Sequence, residues 1–250
     1  MKTELEKCHK NESEDNLLSA SNQAKSTIPK DRLIRSFGRI KSRKLSDHKK
    51  FLLENLLPKY EINDDFLAQK NNDFAKKSFE IGFGFGDFLF EKAKANPTEI
   101  FIGCEPHING VVNLLGKLEK EPLKNVKISL NDSRLLLQKF DDEFFDEFRI
   151  LFPDPWPKIK HFKRRLIDAD FLDNLLAKKL KKGAKLTIAT DHDSYKTWIL
   201  SEILKSKSFE WGASSKQDWQ VFPDDWVETK YQKKARSEGR VSVIFELIKK

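Results

Sequence analysis

Cysteine is scarce in this chain: only two occur among 250 residues, Cys8 in a polar stretch and Cys104 in an apolar run. A disulfide framework and a cysteine-rich zinc site are therefore excluded, and a reducing cytoplasmic compartment is the simplest expectation. The five histidines show no HExxH or comparable spacing, so we expect no metal site. Long apolar runs are absent too, and we expect neither a membrane span nor a secretory leader.

Charge is abundant and unevenly placed. Lys and Arg number 47 against 39 Asp and Glu, which gives a formal net charge of +8. Such an excess favours an anionic partner such as nucleic acid without requiring one. Residues 1–29 are polar with few branched apolar side chains, and we predict that they form a disordered tail. We predict one domain over 30–250, opening with a basic extension at 30–57 that fits RNA binding and a solvated approach to a helix equally well.

Short apolar runs alternate with helical patterns in the rest of the chain. Strands are predicted at 78–81, 100–104, 126–130, 145–152, 185–189 and 241–247. Helices are predicted at about 46–57, 86–95, 107–119, 165–180 and 194–206. This alternation predicts an α/β fold with a mostly parallel sheet and helices on both faces. The last run alternates apolar and polar residues after Gly239, which is typical of an antiparallel edge strand.

The stretch FEIGFGFGDF at 79–88 places Gly82, Gly84 and Gly86 between a predicted strand and a predicted helix. Glycines let the backbone approach a ligand closely, and a helix N-terminus offers N–H groups to a carboxylate or phosphate. Asp87 stands where GxGxxG would place its third glycine, which argues against a pyrophosphate-binding turn. A plain tight turn is the alternative.

Acidic residues stand at the predicted strand ends. Glu80 precedes the glycines, Glu105 ends the second strand and Asp132 follows the third. An acid at the end of the second strand accepts hydrogen bonds from ribose hydroxyls in nucleotide-binding folds of this kind. Asp191 ends the fifth strand, where it fits the ligand edge of the sheet or the cap of the next helix.

The stretch FPDPWPKIKHFKRR at 152–165 joins an acid to a run of cations. Asp154 and Trp156 each precede a proline, which favours extended backbone at both positions. The cations that follow, with His161 among them, are Lys158, Lys160, Lys163, Arg164 and Arg165. A rigid acid and an indole beside cations are typical of a site that holds a base next to its phosphates. An ordinary exposed loop is the alternative.

Several segments in order along residues 35–247 resemble the bacterial tRNA (guanine-N7)-methyltransferases. They are RSFGRIKSRKLSD at 35–47, EIGFGFG at 80–86, GCEPHINGV at 103–111, the strand end at Asp132, FPDPWPKIKHFKRR, ATDH at 189–192 and TKYQKKA at 229–235. The resemblance implies a Rossmann-like methyltransferase domain that uses S-adenosylmethionine. It also implies methylation of guanine at position 46 of the tRNA variable loop, which forms 7-methylguanosine.

The resemblance assigns residues to the cofactor and to the substrate. Those implied to contact the cofactor are Glu80, Gly82, Gly84, Gly86, Glu105, Asp132 and Asp154, and Asp154 is also the implied catalytic residue. Those implied to contact guanine or RNA are Lys158, Lys160, His161, Lys163, Arg164, Arg165, Asp191, Thr229, Lys230, Tyr231 and Gln232. We expect tRNA as the partner, with no metal and no membrane, and a monomer or a homodimer.

Two departures from the family pattern and two rival functions complete the expectations. Gln232 replaces the usual Glu after the TKY triplet, which leaves a charge-dependent role there open, and ATDH replaces the commoner ATDW. A nicotinamide-dependent dehydrogenase would share the glycine turn and Glu105 but gives no reason for the DPWPK stretch. A non-catalytic RNA-binding protein would explain the cations but leave the strand-end acids without a role.

Overall fold

The apolar runs of the sequence form the strands of one sheet in a computed structural model, which describes residues 45–69 and 74–250. Within these residues there are seven strands: β1 Lys76–Ile81, β2 Glu99–Cys104, β3 Val126–Ser129, β4 Phe145–Leu151, β5 Leu180–Thr190, β6 Phe209–Trp211 and β7 Val243–Lys249. The predicted tail at 1–29 and most of the basic extension lie outside the described residues.

The strand order in the sheet is β3-β2-β1-β4-β5-β7-β6. Strands β1 to β5 run parallel, whereas β7 is antiparallel to both β5 and β6. The predicted antiparallel strand at this side of the sheet is confirmed, and the short β6, which the sequence did not predict, covers its outer side. The order reverses between β1 and β4, and parallel sheets bind ligands at the carboxyl ends of the strands at such a point.

The helices predicted at 46–57, 86–95, 107–119 and 194–206 are found close to these bounds, whereas the short helices at 64–68, 133–137 and 230–237 were not predicted. The helices are α1 at 47–60, α2 Asp64–Ala68, α3 Asp87–Ala95, α4 Ile108–Lys120, α5 Ser133–Leu137, α6 at 171–179, α7 Asp193–Lys205 and α8 Lys230–Ser237. Two 3₁₀ helices span Ile159–Arg164 and Gln217–Trp219. Within α1 and α6, the segments Leu52–Leu56 and Phe171–Leu176 have π-helical hydrogen bonding.

The helix predicted at 165–180 is the least accurate of these predictions. Residues 165–168 are not helical, because Asp168 caps α6: its carboxylate accepts a hydrogen bond from the Phe171 N–H at 2.8 Å and its carbonyl accepts one from the Leu172 N–H at 3.0 Å. An Asp with this pair of bonds marks a helix start, which explains why α6 begins later than predicted. At the other end, β5 already starts at Leu180, well before the predicted strand.

Apolar side chains cover both faces of the sheet, as predicted. On one face, Phe79, Phe148 and Phe245 are fully buried against the side of the molecule that carries α6 and α7. On the other, residues of α1, α3 and α4 bury Phe101 and Ile128. Both faces being covered fixes the sheet rigidly, so the loops at its carboxyl edge are held in place by their strands.

A third, smaller cluster lies over the ends of β4 and β5. Leu151 and Ala189 meet Phe88 of α3 there, and Phe222 and Trp226 of a long loop pack against them. The ring centroids of Phe88 and Trp226 are 4.9 Å apart. This cluster anchors the loop that leads into α8, so it determines where the TKYQ segment sits.

Candidate active site

The glycine turn between β1 and α3 forms the floor of a cleft at the switch point of the sheet. Gly82, Gly84 and Gly86 all have positive φ, at 72°, 57° and 72°. Side chains other than glycine rarely adopt this conformation, so the backbone itself requires these residues. Gly86 precedes α3, and among the described residues no side chain caps that helix. Its first N–H groups remain available to an anionic group.

Glu105 joins the glycine turn to the loop after β2. Its carboxylate accepts hydrogen bonds from the N–H of Gly84 and the N–H of His107, each at 2.8 Å. Burial raises the pKa of Glu105 above its ordinary value, while these two bonds lower it and the Asp154 charge adds to the rise. Each carboxylate oxygen keeps a second lone pair, so both oxygens can still accept a ligand hydroxyl.

Gly110 of α4 is a site residue that the assignments above omit. A Cβ at this position would lie 2.2 Å from the carbonyl oxygen of Gly84 and 3.0 Å from Cγ of Glu105. Only a glycine therefore lets α4 pack against the turn. The motif GCEPHINGV contains this glycine, but nothing in the sequence shows which backbone it meets.

Glu80 lines the cleft together with Gly82, Asp87 and Leu151. It is only 5% exposed, and burial raises its pKa to about 8 although the Arg149 charge opposes this shift. The charges of Glu105 and Asp87 raise it further. The cleft therefore holds a carboxyl group that is largely protonated at neutral pH and ionises readily when a cation approaches.

Asp132 lies between β3 and α5 and caps that helix. Its carboxylate accepts from the backbone N–H of Arg134 at 2.9 Å and from the Arg134 guanidinium at 2.9 and 2.7 Å. These bonds orient the carboxylate at the carboxyl edge of the sheet. The position matches the prediction from the sequence, and the paired arginine is an addition that the sequence did not indicate.

The loop that carries Asp154 is strained on both sides. Phe152 and Trp156 have φ of 54° and 42°, so the prediction of extended backbone at Trp156 is wrong. The Arg164 guanidinium lies 4.9 Å from the Trp156 ring, and His161 meets the ring edge at 5.7 Å. These contacts hold the indole in a conformation that the residue before a proline seldom adopts. Asp154 itself is exposed, yet the surrounding protein raises the pKa of its carboxyl above the ordinary value.

The cations after Asp154 form a strip over residues 158–164, which comprises Lys158 and the 3₁₀ helix that follows it. Lys158, Lys160 and Lys163 are exposed, whereas Arg164 is half-buried. Desolvation and the neighbouring cations lower the pKa of His161, which favours its neutral form. The charge of the strip thus comes from the lysines and Arg164.

Arg165 differs from its neighbours, and the phosphate contact predicted for it is corrected. It is 6% exposed, and its guanidinium lies 3.7 Å from the centroid of Phe162 with Tyr195 and Trp198 also in contact. The guanidinium donates to the Pro155 carbonyl at 2.9 Å and to the Ser194 hydroxyl at 3.0 Å. Arg165 therefore ties the Asp154 loop to the start of α7.

The TKYQ segment covers the glycine turn from above. Thr229 caps α8 by accepting from the Gln232 N–H at 3.2 Å, and Oε1 of Gln232 accepts from the Trp226 indole at 2.7 Å. Tyr231 approaches Gly84 so closely that a Cβ there would lie 3.1 Å from its ring. The Lys230 ammonium lies 4.2 Å from the centroid of Phe85. The structure thus brings Thr229, Lys230 and Tyr231 to the cleft, far along the chain from the glycine turn, whereas Gln232 binds the loop that precedes α8.

Asp191 lies at the end of β5, but it does not cap α7, because His192 occupies the N-cap position. Its Oδ2 instead accepts a hydrogen bond from the Arg240 guanidinium at 2.7 Å. Arg240 belongs to the loop between α8 and β7. Nothing in the sequence pattern indicated this pair.

Residues 45–69 and 74–250 contain no group of three or more His, Cys, Asp or Glu side chains arranged to hold a metal ion. No helix in these ranges is both long and apolar enough to cross a membrane.

Comparison with known proteins identifies the family. Residues 75–245 match a family described as "Putative methyltransferase". A tRNA (guanine-N(7)-)-methyltransferase of Zymomonas mobilis is 36% identical over 208 residues, 82% of this chain and 90% of the relative. A relative of the same name from Hyphomonas neptunium is 40% identical, covering 80% of this chain and 93% of its own length. The chain belongs to this methyltransferase family. The dehydrogenase and the non-catalytic RNA-binding alternatives are thereby excluded.

Solved structures agree on the fold of the methyltransferase. An antibiotic-related methyltransferase superposes with a TM-score of 0.54 at 18% identity, covering 76% of this chain and 95% of the other. The 16S rRNA methyltransferase KamB gives 0.53 at 14% identity, covering 75% and 94%. The Rossmann-like fold that the resemblance implied is therefore confirmed.

Gly110→Ala tests the contact between α4 and the glycine turn. We expect it to lower the free energy of unfolding by about 1–3 kcal/mol, the usual cost of overpacking, because the added methyl would collide with backbone. Gly116→Ala, in the same helix as Gly110, is the matched control. A Cβ at Gly116 would meet only Leu52 of α1, at 3.9 Å. A gain of about 0.5–1 kcal/mol is expected for the control. Equal urea midpoints for the two variants would contradict the close contact.

Proposed function

We propose that this methyltransferase transfers a methyl group from S-adenosylmethionine to N7 of guanine at position 46 in the variable loop of tRNA, forming 7-methylguanosine. One observation carries the proposal: the acid-lined cleft over the glycine turn includes Leu151 at the end of β4, the strand that leads into the Asp154 loop, and the cationic strip continues directly from that loop. The guanine-N7 specificity in the names of the relatives supports the choice of atom.

The residues of the cleft fit the proposed cofactor. S-adenosylmethionine, when bound, supplies an electrophilic methyl group on a positively charged sulfonium. Glu80 and Glu105 provide negative charge for a cationic ligand, and Glu105 keeps lone pairs for ribose hydroxyls. The uncapped start of α3 suits the carboxylate of the methionine part. Asp132 provides an oriented acceptor at the adjacent strand end.

Asp154 acts on the guanine rather than as a base. N7 of guanine already carries an in-plane lone pair, so no proton has to leave before attack. Positive charge develops on the base as the bond to N7 forms, and a fixed carboxylate stabilises that charge. Contacts of Trp156 with Arg164 and His161, and the bond from Arg165 to the Pro155 carbonyl, restrict the loop around Asp154, which lowers the cost of orienting its carboxylate.

The exposed lysines of the strip bind RNA phosphates. Lys158, Lys160 and Lys163 extend from a short rigid helix whose cationic neighbour Arg164 is stacked on Trp156. Phosphate contacts of this kind orient an RNA without reading its sequence. The strip therefore binds tRNA so that the variable loop lies at the cleft, and the residues around Asp154 and Asp191 select the base.

The direct test is transfer of labelled methyl from S-adenosylmethionine to bulk tRNA, followed by nucleoside analysis for 7-methylguanosine. Asp154→Asn should lower the single-turnover rate about 100-fold, because it removes charge stabilisation while keeping shape. Asp64→Asn, which removes an equal charge from α2, should match the unmodified chain. Label in another nucleoside would refute the proposed atom, and an unaffected Asp154→Asn rate would remove Asp154 from catalysis.

Lys163 and Arg165 are two cations of the same motif for which we expect different behaviour. Lys163→Gln should weaken tRNA binding and reduce the slope of log affinity against log salt by roughly 0.7–0.9, as loss of one phosphate contact does. Arg165→Gln should leave that slope unchanged and destabilise the fold by about 1–3 kcal/mol, because buried hydrogen bonds are lost. Salt titrations and thermal unfolding separate the two effects. A reduced slope for Arg165→Gln would indicate that Arg165 contacts an RNA phosphate.

Glu80 should make cofactor binding depend on pH. Burial raises the pKa of Glu80 from 4.5 to about 8, so this carboxyl is mostly protonated at pH 7. Because the unfolded chain would ionise it at lower pH, the free energy of unfolding falls as pH rises from about 4.5 to about 8. A cationic cofactor favours the ionised form, so binding should release a proton at pH 7, and affinity should rise with pH up to about 8. Calorimetry in two buffers of different ionisation enthalpy measures the release. Glu80→Gln should abolish the part of the proton release that comes from Glu80. Binding heats that do not depend on the buffer for the unmodified chain would contradict a role of Glu80 in this release.

A further inference from the structure

Arg240 connects the end of α8 to the end of β5. Its Nε donates to Oδ2 of Asp191 at 2.7 Å, and its guanidinium also contacts the carboxylate of Glu238. The Asp191 side chain is 18% exposed and that of Arg240 39% exposed, so solvent reaches both partners of the pair.

The backbone of Arg240 is fixed by the helix that precedes it. Its N–H donates to the Ala235 carbonyl at 2.9 Å, and Gly239, with φ of 72°, donates to the Arg236 carbonyl at 3.1 Å. This arrangement is the hydrogen-bonded end of α8, in which a left-handed glycine closes the last turn. Because α8 begins with Thr229 over the cleft, Arg240 links the segment that covers the glycine turn to Asp191.

Asp191 lies at the carboxyl edge of the sheet, directly after β5, the strand next to β4. Leu151 of β4 pairs with Ala189 of β5, so Asp154 and Asp191 follow neighbouring strands at the same edge of the sheet. Among the residues that the structure describes, a donor reaches only Oδ2 of Asp191, and Oδ1 has no hydrogen-bond partner. A carboxylate oxygen in this setting can accept a hydrogen bond from a ligand.

We propose that Arg240 is a positioning residue for the target base. Its ion pair holds Asp191 by one oxygen and leaves Oδ1 turned to the N1–H and amino group of guanine. Adenine carries an acceptor at its N1, so a fixed carboxylate favours guanine over adenine. This inference rests on the proposed function, and it adds a residue that controls how well the base is placed.

The competing role for Arg240 is a direct contact with an RNA phosphate. The two roles differ in whether the effect of losing Arg240 depends on Asp191. A phosphate contact acts independently of Asp191, whereas a positioning effect disappears when Asp191 can no longer accept the ion pair. A double-mutant cycle between the two residues measures this difference.

The experiment compares single-turnover methyl transfer to tRNA for the unmodified full-length chain, R240Q, D191N and the double variant. We expect R240Q to lose about tenfold in rate, and to lose less than about twofold more in the D191N background. Affinities for tRNA and for S-adenosylmethionine should stay within about twofold. R240K, which keeps the charge, should recover part of the rate and carries the same cycle if R240Q does not fold.

R236Q is the matched control. Arg236 lies on α8, one turn before Arg240, and pairs with Glu228 at 2.8 Å, so its loss removes an equal charge without touching Asp191. An equal loss of rate in both Asp191 backgrounds, a similar loss in R236Q, or a salt slope lower by roughly 0.7–0.9 in R240Q would overturn the inference. An unmodified chain that transfers no methyl to tRNA would overturn the proposed function first, and the inference with it.

Discussion

The Glu105 carboxylate holds two loops in one geometry, and the rest of the site is built on that geometry. One oxygen binds the N–H of Gly84 and the other binds the N–H of His107, so the turns after β1 and β2 cannot move apart. Gly110 then lets α4 pack directly against the Gly84 carbonyl. A buried carboxylate with backbone partners is costly to disturb, because two N–H groups and one charge would lose their bonds together. The cleft therefore has a fixed floor before any ligand binds.

The sheet, the glycine turn and the strand-end acids were predictable because they are local. Alternation of apolar residues determines which runs become strands, and acids that follow parallel strands must meet at one edge of the sheet. Gly82, Gly84 and Gly86 are required by positive φ within a single turn. In each of these cases the deciding interaction lies within a few residues of the one that carries the signal, and the sequence records it directly.

Arg165, Trp156 and Arg240 could not be assigned in this way. The cage around Arg165 consists of Phe162, Tyr195 and Trp198, and two of these come from a different helix. A run of Lys and Arg looks the same in sequence whether its last member is exposed or buried. The Arg240 pair depends on how the end of α8 meets the end of β5, which is a property of the tertiary fold. Long-range contacts of this kind override local preferences.

The contacts of Gln232 explain why the chain tolerates glutamine where the family usually has glutamate. Its Oε1 accepts from the Trp226 indole, and a glutamate would offer the same oxygen to the same donor. The geometry that places Tyr231 over Gly84 thus depends on an acceptor at position 232 and not on a charge. The amide therefore keeps the anchor of α8, so the substitution is compatible with the same reaction.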